Sequence, residues 1–194
     1  MKAPIRLTDV VSQPIYDTVS IPAAGATRLA FFAVPLGQGT AAFGAGTKNL
    51  RDTNMELAGQ LAAGFAFKLL AFRLAFGWNV ATADFQIAIN AAVFRFFVAA
   101  KEFLRVPATS IPAGNGPFFS GIIIAASQVA AANAFPTNGW PSMQNSFSIG
   151  RKPLDLGPGE NFSATLEWQG GVQAISAITP VTIYLDGFMG RPVQ

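Results

Sequence analysis

The segment Phe162-Ser163-Ala164-Thr165-Leu166-Glu167-Trp168 decides the fold class of this 194-residue chain. Its apolar and polar residues alternate strictly, which is the pattern of a β-strand with one buried face. The positions that share the apolar side are Phe162, Ala164, Leu166 and Trp168. The segment 181–186 repeats the alternation, with Val181, Ile183 and Leu185 on its apolar side. Two strands are therefore predicted in the last third of the chain.

Further strands and regular turns extend this pattern along the sequence. Alternation predicts a strand over residues 84–90, and extended segments are expected over residues 15–21, 27–34, 118–124 and 146–149. Within the apolar run 65–76 the phase changes between Leu69 and Leu70, which predicts a β-bulge or a bent strand. Turns rich in Gly and Pro separate the segments, as at residues 21–25, 111–117, 136–139 and 156–160. Short strands between such turns predict an all-β fold, an antiparallel two-sheet sandwich.

The length of the chain predicts a single domain spanning residues 1–194. Residues 1–14 are expected to form an extended N-terminal arm that precedes the sandwich. The Gly- and Ala-rich stretch 37–54 has no clear period and is expected to be a long surface loop. Residues 187–194 are expected to form a short C-terminal tail.

The composition excludes several classes of chemistry. The chain contains no Cys and no His, so it has no thiol nucleophile, no Ser-His-Asp triad and no zinc site of the usual ligands. General acid–base catalysis would depend on ten carboxylates, which rarely serve alone at neutral pH unless burial raises a pKa. We therefore predict that the protein is not an enzyme and that it takes no cofactor and no small-molecule substrate.

The charge content points to protein partners rather than to nucleic acid or membrane. Only 12% of residues are charged, against about 25% in an ordinary soluble domain. The net charge of +3 is spread along the sequence, whereas nucleic-acid binders cluster their basic residues. The apolar stretch 57–76 contains Lys68 and Arg73, and the stretch 118–135 contains several polar residues, which argues against membrane spans.

Apolar strands with few charges favour burial against further copies of the chain. The predicted subunit-interface residues are Phe72, Arg73, Phe94, Arg95, Phe96, Phe97, Arg105, Phe118 and Phe119.

Two binding sites remain open at this level. Asp52, Asn54 and Glu56 place oxygen ligands at alternate positions, as at the start of a calcium loop. Leu57 stands where an EF-hand requires Gly, so only an irregular calcium site near Asp52 is left open. The aromatic side chains of Trp140 or Trp168 could instead form a sugar-binding surface. A carbohydrate- or receptor-binding β-sandwich of a phage tail is therefore the alternative reading.

Three stretches of the chain have a layout known from one class of protein. They are residues 53–61 (TNMELAGQL) before a Phe-rich strand, the corner 111–119 (IPAGNGPFF), and the loop 154–162 (LDLGPGENF) before the clearest strand. With these stretches and the predicted strands, the chain resembles single jelly-roll coat or cement proteins of bacteriophage capsids. The resemblance implies a jelly-roll fold of eight strands in two sheets. It also implies a homo-oligomer, commonly a trimer, that assembles in the host cytoplasm into the virion, with capsid shell subunits as partners.

Overall fold

The computed structural model describes residues 9–77, 80, 82–111, 118–120, 135–137, 146–150, 152–171 and 174–191. Within them, strands alternate with turns, and one α-helix and one short 3₁₀-helix interrupt the series. The elements in chain order are β1 (Asp9–Ser12), β2 (Ile15–Ile21), β3 (Arg28–Phe31), β4 (Ala66–Phe76), α1 (Thr82–Asn90), β5 (Ala92–Val98), β6 (Lys101–Pro107), the 3₁₀-helix Ala108–Ser110, β7 (Phe118–Ser120), β8 (Phe135–Thr137), β9 (Phe147–Ser148), β10 (Leu154–Leu156), β11 (Phe162–Trp168) and β12 (Thr179–Arg191).

The strands form two main sheets, and every pair within them is antiparallel. In sheet 1, β12 lies at the centre: β1 and β2 follow one another along one side of it, and β4 pairs with its other side. Strands β9 and β10 then pair with the far side of β4. Sheet 2 has the order β3-β11-β5-β6, and a separate two-stranded sheet joins β7 to β8. The described part of the chain is therefore mostly β with two main antiparallel sheets, which is consistent with the predicted all-β sandwich.

The core lies between the inner faces of sheets 1 and 2. The ring of Phe72 on β4 contacts Phe94 and Phe96 on β5, with centroid distances of 5.3 and 5.0 Å. The four predicted inward positions of β11 are all buried, as are the three predicted in β12. The alternating patterns therefore identified the inner faces of both strands correctly.

The predicted irregularity at Leu70 is confirmed. Ala71 pairs with Asp186 and Leu69 pairs with Gly187, so that Leu70 has no partner on β12. One extra residue on β4 bends the strand and shifts the side-chain phase at this point. A Cβ atom on Gly187 would lie 1.9 Å from the carbonyl oxygen of Lys68, so the close approach of the two strands requires glycine there.

The strand predicted over residues 84–90 is wrong, because this segment lies within helix α1. The helix covers one end of the sandwich through the ring of Phe85, which packs edge-on against Phe76 at 4.9 Å. The indole N–H of Trp168 donates a 2.8 Å hydrogen bond to the carbonyl oxygen of Ala88. Asp84 accepts hydrogen bonds from the hydroxyl and backbone N–H of Ser176, and these hold the pKa of its carboxyl below the usual value.

The predicted arm and tail are partly strands of sheet 1. β1 lies within the segment 1–14 and pairs with β12 from Asp9 opposite Arg191 to Ser12 opposite Phe188. β12 therefore continues through the predicted tail as far as Arg191. The sheet extends here because each of these two segments supplies the backbone hydrogen-bond partners of the other. Residues 1–8 and 192–194 lie outside the described part of the chain.

The predicted surface loop 37–54 is in fact packed against the sandwich in its second half. The backbone N–H of Thr18 on β2 donates a 2.8 Å hydrogen bond to the carbonyl oxygen of Asp52. Lys48, Asp52 and Thr53 are buried. The loop therefore covers the outer edge of β2, which would otherwise leave unpaired backbone groups at the border of sheet 1.

Candidate subunit interface

Three of the predicted interface residues belong to the core. Phe72, Phe94 and Phe96 are each 0% exposed, and the ring of Phe72 contacts the other two rings between the two sheets of a single chain. Their side chains cannot reach a second subunit, so the interface assignment of these three residues is wrong. The run of Phe along β4 and β5 reflects the packing of two sheets, which needs large apolar side chains on both inner faces.

Arg73 lies on the outer face of sheet 1, where it is bound within its own chain. Its guanidinium makes a bidentate pair with Asp186, with Nε–Oδ2 and Nη2–Oδ1 distances of 2.6 and 2.7 Å. It also lies over the ring of Tyr184 at 4.4 Å. Arg73 is partly exposed, but its charge is matched and its flat face is covered. Arg73 could therefore lie in a contact surface, but its charge is already paired with Asp186 and is not available to an anion on a partner.

A row of alternating charges crosses the outer face of sheet 2, and we call it the charge row. It consists of Arg28, Glu167, Arg95, Glu102 and Arg105. Arg95 donates to Glu167 at 3.0 Å on one side and to Glu102 at 2.8 Å on the other. Hydrogen bonds from Arg105 and Arg95 lower the pKa of Glu102. The three cations and two anions give the row a net charge of only +1. The row crosses all four strands of the sheet.

The remaining predicted residues divide between this face and the small sheet. Phe97 lies on the outer face of β5 beneath the guanidinium of Arg95, at 4.9 Å from its centroid. Phe97 is only half-buried, so part of its apolar ring is exposed next to the charge row. Phe118 and Phe119 belong to β7, whose backbone pairs with β8. Their side chains lie outside the described features, and their place in an interface stays a prediction.

The β6 edge of sheet 2 carries features that oppose strand addition. β6 is the last strand of the sheet, and its register against β5 shifts between Phe96 and Phe97. Lys101 and Arg105 are exposed along β6, and Pro107 ends it. Charged residues, proline and an irregular register all disfavour pairing with the edge of another sheet. The β6 edge is therefore unsuited to extending sheet 2 into a continuous sheet with another chain.

One exposed apolar pair was missed at the sequence level. On the outer face of sheet 1, Ser12 lies opposite Phe188 and Val10 opposite Gly190, which places Val10 and Phe188 diagonally on one surface. Their side chains are 47% and 40% exposed. The assignment of residues 187–194 to a tail hid this pair. Continuing the alternation of Val181, Ile183 and Leu185 past Asp186 would have revealed the strand.

The calcium site left open near Asp52 is explained by hydrogen bonds within the protein. The carboxylate of Asp52 accepts backbone N–H groups from Ala42, Phe43 and Asn49, each at 3.0 Å. These bonds fix the conformation of the loop around Asp52. The described residues contain no group of three or more acidic side chains placed to hold a metal ion.

The sugar-binding surface considered at Trp168 is not available, because this side chain is buried with its N–H bound to α1. Trp140 lies outside the described residues. No helix among the residues described has the length and apolar character to cross a bilayer.

No family model, curated protein or solved structure matches the chain. The candidate function therefore rests on the strand order and the surfaces of the molecule itself.

Proposed function

We propose that the protein is a non-enzymatic structural protein of a bacteriophage virion. In this proposal it is a homo-oligomer, expected to be a trimer, that forms the capsid or cements it by binding shell subunits. It would assemble in the host cytoplasm and reside in the virion. The observation that carries the proposal is the order of the strands in the two sheets.

The strand order supports a jelly roll. A jelly roll can be described as a long hairpin of eight strands, rolled so that its successive pairs fall alternately in two sheets. The strands β7 and β8 form the separate small sheet and are left aside. Counting β1 with β2 as one strand and β9 with β10 as another then gives eight main strands in chain order. The first then pairs with the eighth and the third with the sixth in sheet 1. The second pairs with the seventh and the fourth with the fifth in sheet 2.

The chemistry of the chain favours the capsid role among the known uses of this fold. Jelly rolls occur in viral capsids, lectins and cupins, and a fold alone does not define a function. A metal site built on imidazoles, which suits most transition metals, is excluded because the sequence lacks His. A sugar site at Trp168 is excluded because that side chain is buried. A scaffold that is low in charge and whose β2 and β6 edges are protected fits a protein that associates with neighbours through its faces.

The proposal is tested by the mass of the particle in solution. Sedimentation velocity and native mass spectrometry at micromolar concentration should find a discrete oligomer, and electron microscopy should show whether it closes into shells. Closed shells would support the shell role, whereas a stable small oligomer would support the cement role. A monomer at every concentration would refute the homo-oligomer. Phe188→Ser should weaken association, and Leu50→Ser is the control because Leu50 is 65% exposed on a loop.

A further inference from the structure

A buried pair of opposite charges joins the loop 37–54 to the core. Asp17 lies opposite Ile183 on the inner face of β2, where its side chain is 0% exposed. Lys48 reaches this carboxyl group from the loop, and its side chain is 5% exposed. The Nζ atom of Lys48 lies 2.6 Å from Oδ1 of Asp17. Since a C–O bond is about 1.2 Å long, Nζ lies less than about 4 Å from the carboxyl carbon.

The carboxyl group of Asp17 is held from its other side. The backbone N–H of Phe32 donates to Oδ2 at 2.7 Å, a distance suited to stabilising negative charge that develops on that oxygen. Phe32 is fully buried and has a φ of 65°, a conformation that a bulky residue rarely adopts. Such backbone strain is commonly found where a structure positions reacting groups.

Both charges of this pair oppose burial. Removing an ammonium and a carboxylate from water is costly, and their attraction offsets that cost only in part. Burial raises the pKa of Asp17 against the opposing effects of Lys48 and of the hydrogen bond from the backbone N–H of Phe32. Transfer of one proton along the 2.6 Å hydrogen bond would produce an amine beside a carboxylic acid, which are the two reactants of amide formation.

We propose that Lys48 and Asp17 condense to an intramolecular isopeptide bond in the folded protein. After the proton transfer, the amine nitrogen attacks the carboxyl carbon, and Oδ2 takes up negative charge against the N–H of Phe32. A second proton then passes from the nitrogen to Oδ1, which leaves as water with both protons. The C–Oδ1 bond breaks, the C–N bond forms, and Oδ2 remains as the amide oxygen. The step requires no oxidant and no co-reactant.

The bond would replace two buried charges by a neutral amide and would fix the loop covalently to β2. It would close a ring across positions 31 residues apart in the chain. This inference rests on the buried pair alone and does not depend on the virion role proposed above.

Intact mass spectrometry of the purified full-length chain under denaturing conditions tests the proposal. After incubation of the folded protein at neutral pH, the mass should fall below the sequence mass by one water molecule. Proteolysis and fragmentation should then yield one branched peptide that contains both Asp17 and Lys48. A chain that keeps its full sequence mass, with both residues in separate linear peptides, would overturn the proposal.

One other reaction of this chain also releases water and needs a control. Asp186 precedes Gly187, and an Asp-Gly pair can cyclise to a succinimide. Lys48→Arg keeps a cation beside Asp17 but removes the amine, so it should keep the full mass. A loss that persists in Lys48→Arg, or that alkaline hydrolysis reverses, would assign the missing water to a succinimide and refute the isopeptide. The branched peptide decides the question on the native chain even if the variant does not fold.

Discussion

Phe72→Ala should be among the most destabilising single substitutions in the described core. Phe72 is 0% exposed and contacts two further rings across the interior. Truncation of a buried Phe costs about 3–5 kcal/mol, because apolar contacts are lost and a cavity remains. The edge-to-face contacts with Phe94 and Phe96 place the expected loss at about 4 kcal/mol. The unfolding equilibrium constant would rise about a thousandfold, since each 1.4 kcal/mol is a factor of ten.

Guanidinium denaturation, followed by tryptophan fluorescence and circular dichroism, measures this loss as a shift of the midpoint at constant slope. Phe103→Ala is the matched control, because Phe103 lies on β6 with its side chain 43% exposed, and its loss should be below about 1 kcal/mol. Both variants are compared at one protein concentration, since association shifts apparent stability. Equal losses for the two variants would refute the sandwich core. So would a Phe72→Ala protein that dissociates while its stability is unchanged.

Three further substitutions test the ends and the bulge of the sandwich. Asp84→Ala should lower the melting temperature at neutral pH but approach the parent chain in acid. The hydrogen bonds from Ser176 depress the pKa of Asp84 below 3.8, so their stabilisation is complete above that value and is lost as the pH falls through the depressed pKa; a pH-independent difference would contradict this. Gly187→Ala should cost about 3 kcal/mol in denaturant unfolding, because its Cβ would collide with the carbonyl oxygen of Lys68, and an unchanged midpoint would show that the strands separate easily. Trp168→Phe should cost about 1–3 kcal/mol by leaving a carbonyl oxygen of α1 without its donor, and no loss would mean that water replaces the indole.

The helix α1 shows where sequence patterns fail. Phe85, Ile87 and Ile89 alternate, which favours a strand, but the structure buries Asp84, Phe85 and Ala88, which share a helical face. Ile87 is 39% exposed. Alanine contributes little to an apolar pattern, so the helical period of this segment was hidden. The buried carboxylate of Asp84 is satisfied by a distant loop, and no local pattern can reveal such a partner.

The candidate interface shows a second limit. Alternation identifies which residues share a face of a strand, but not which face meets another sheet of the same chain. Phe72 and Arg73 are adjacent apolar and charged positions, and only the fold shows that one is core and the other is paired with Asp186. The pair Asp17–Lys48 was equally inaccessible, because the Gly- and Ala-rich composition of the loop gave no sign that a lysine is buried within it. By contrast, β11, residues 181–186 of β12 and the irregularity at Leu70 followed directly from period-two alternation.

The central place of β12 in sheet 1 has a consequence for the order of events at the ribosome. Among the described strands of sheet 1, β2 and β4 are linked through β12, which spans Thr179–Arg191. Sheet 1 therefore cannot form as a whole until β12 has been synthesised, and its earlier strands keep open edges until then. Pairings between distant segments form slowly and leave partly folded chains prone to aggregation. We expect the nascent chain to depend on chaperones, and its production to be more sensitive to temperature during synthesis than the finished fold is.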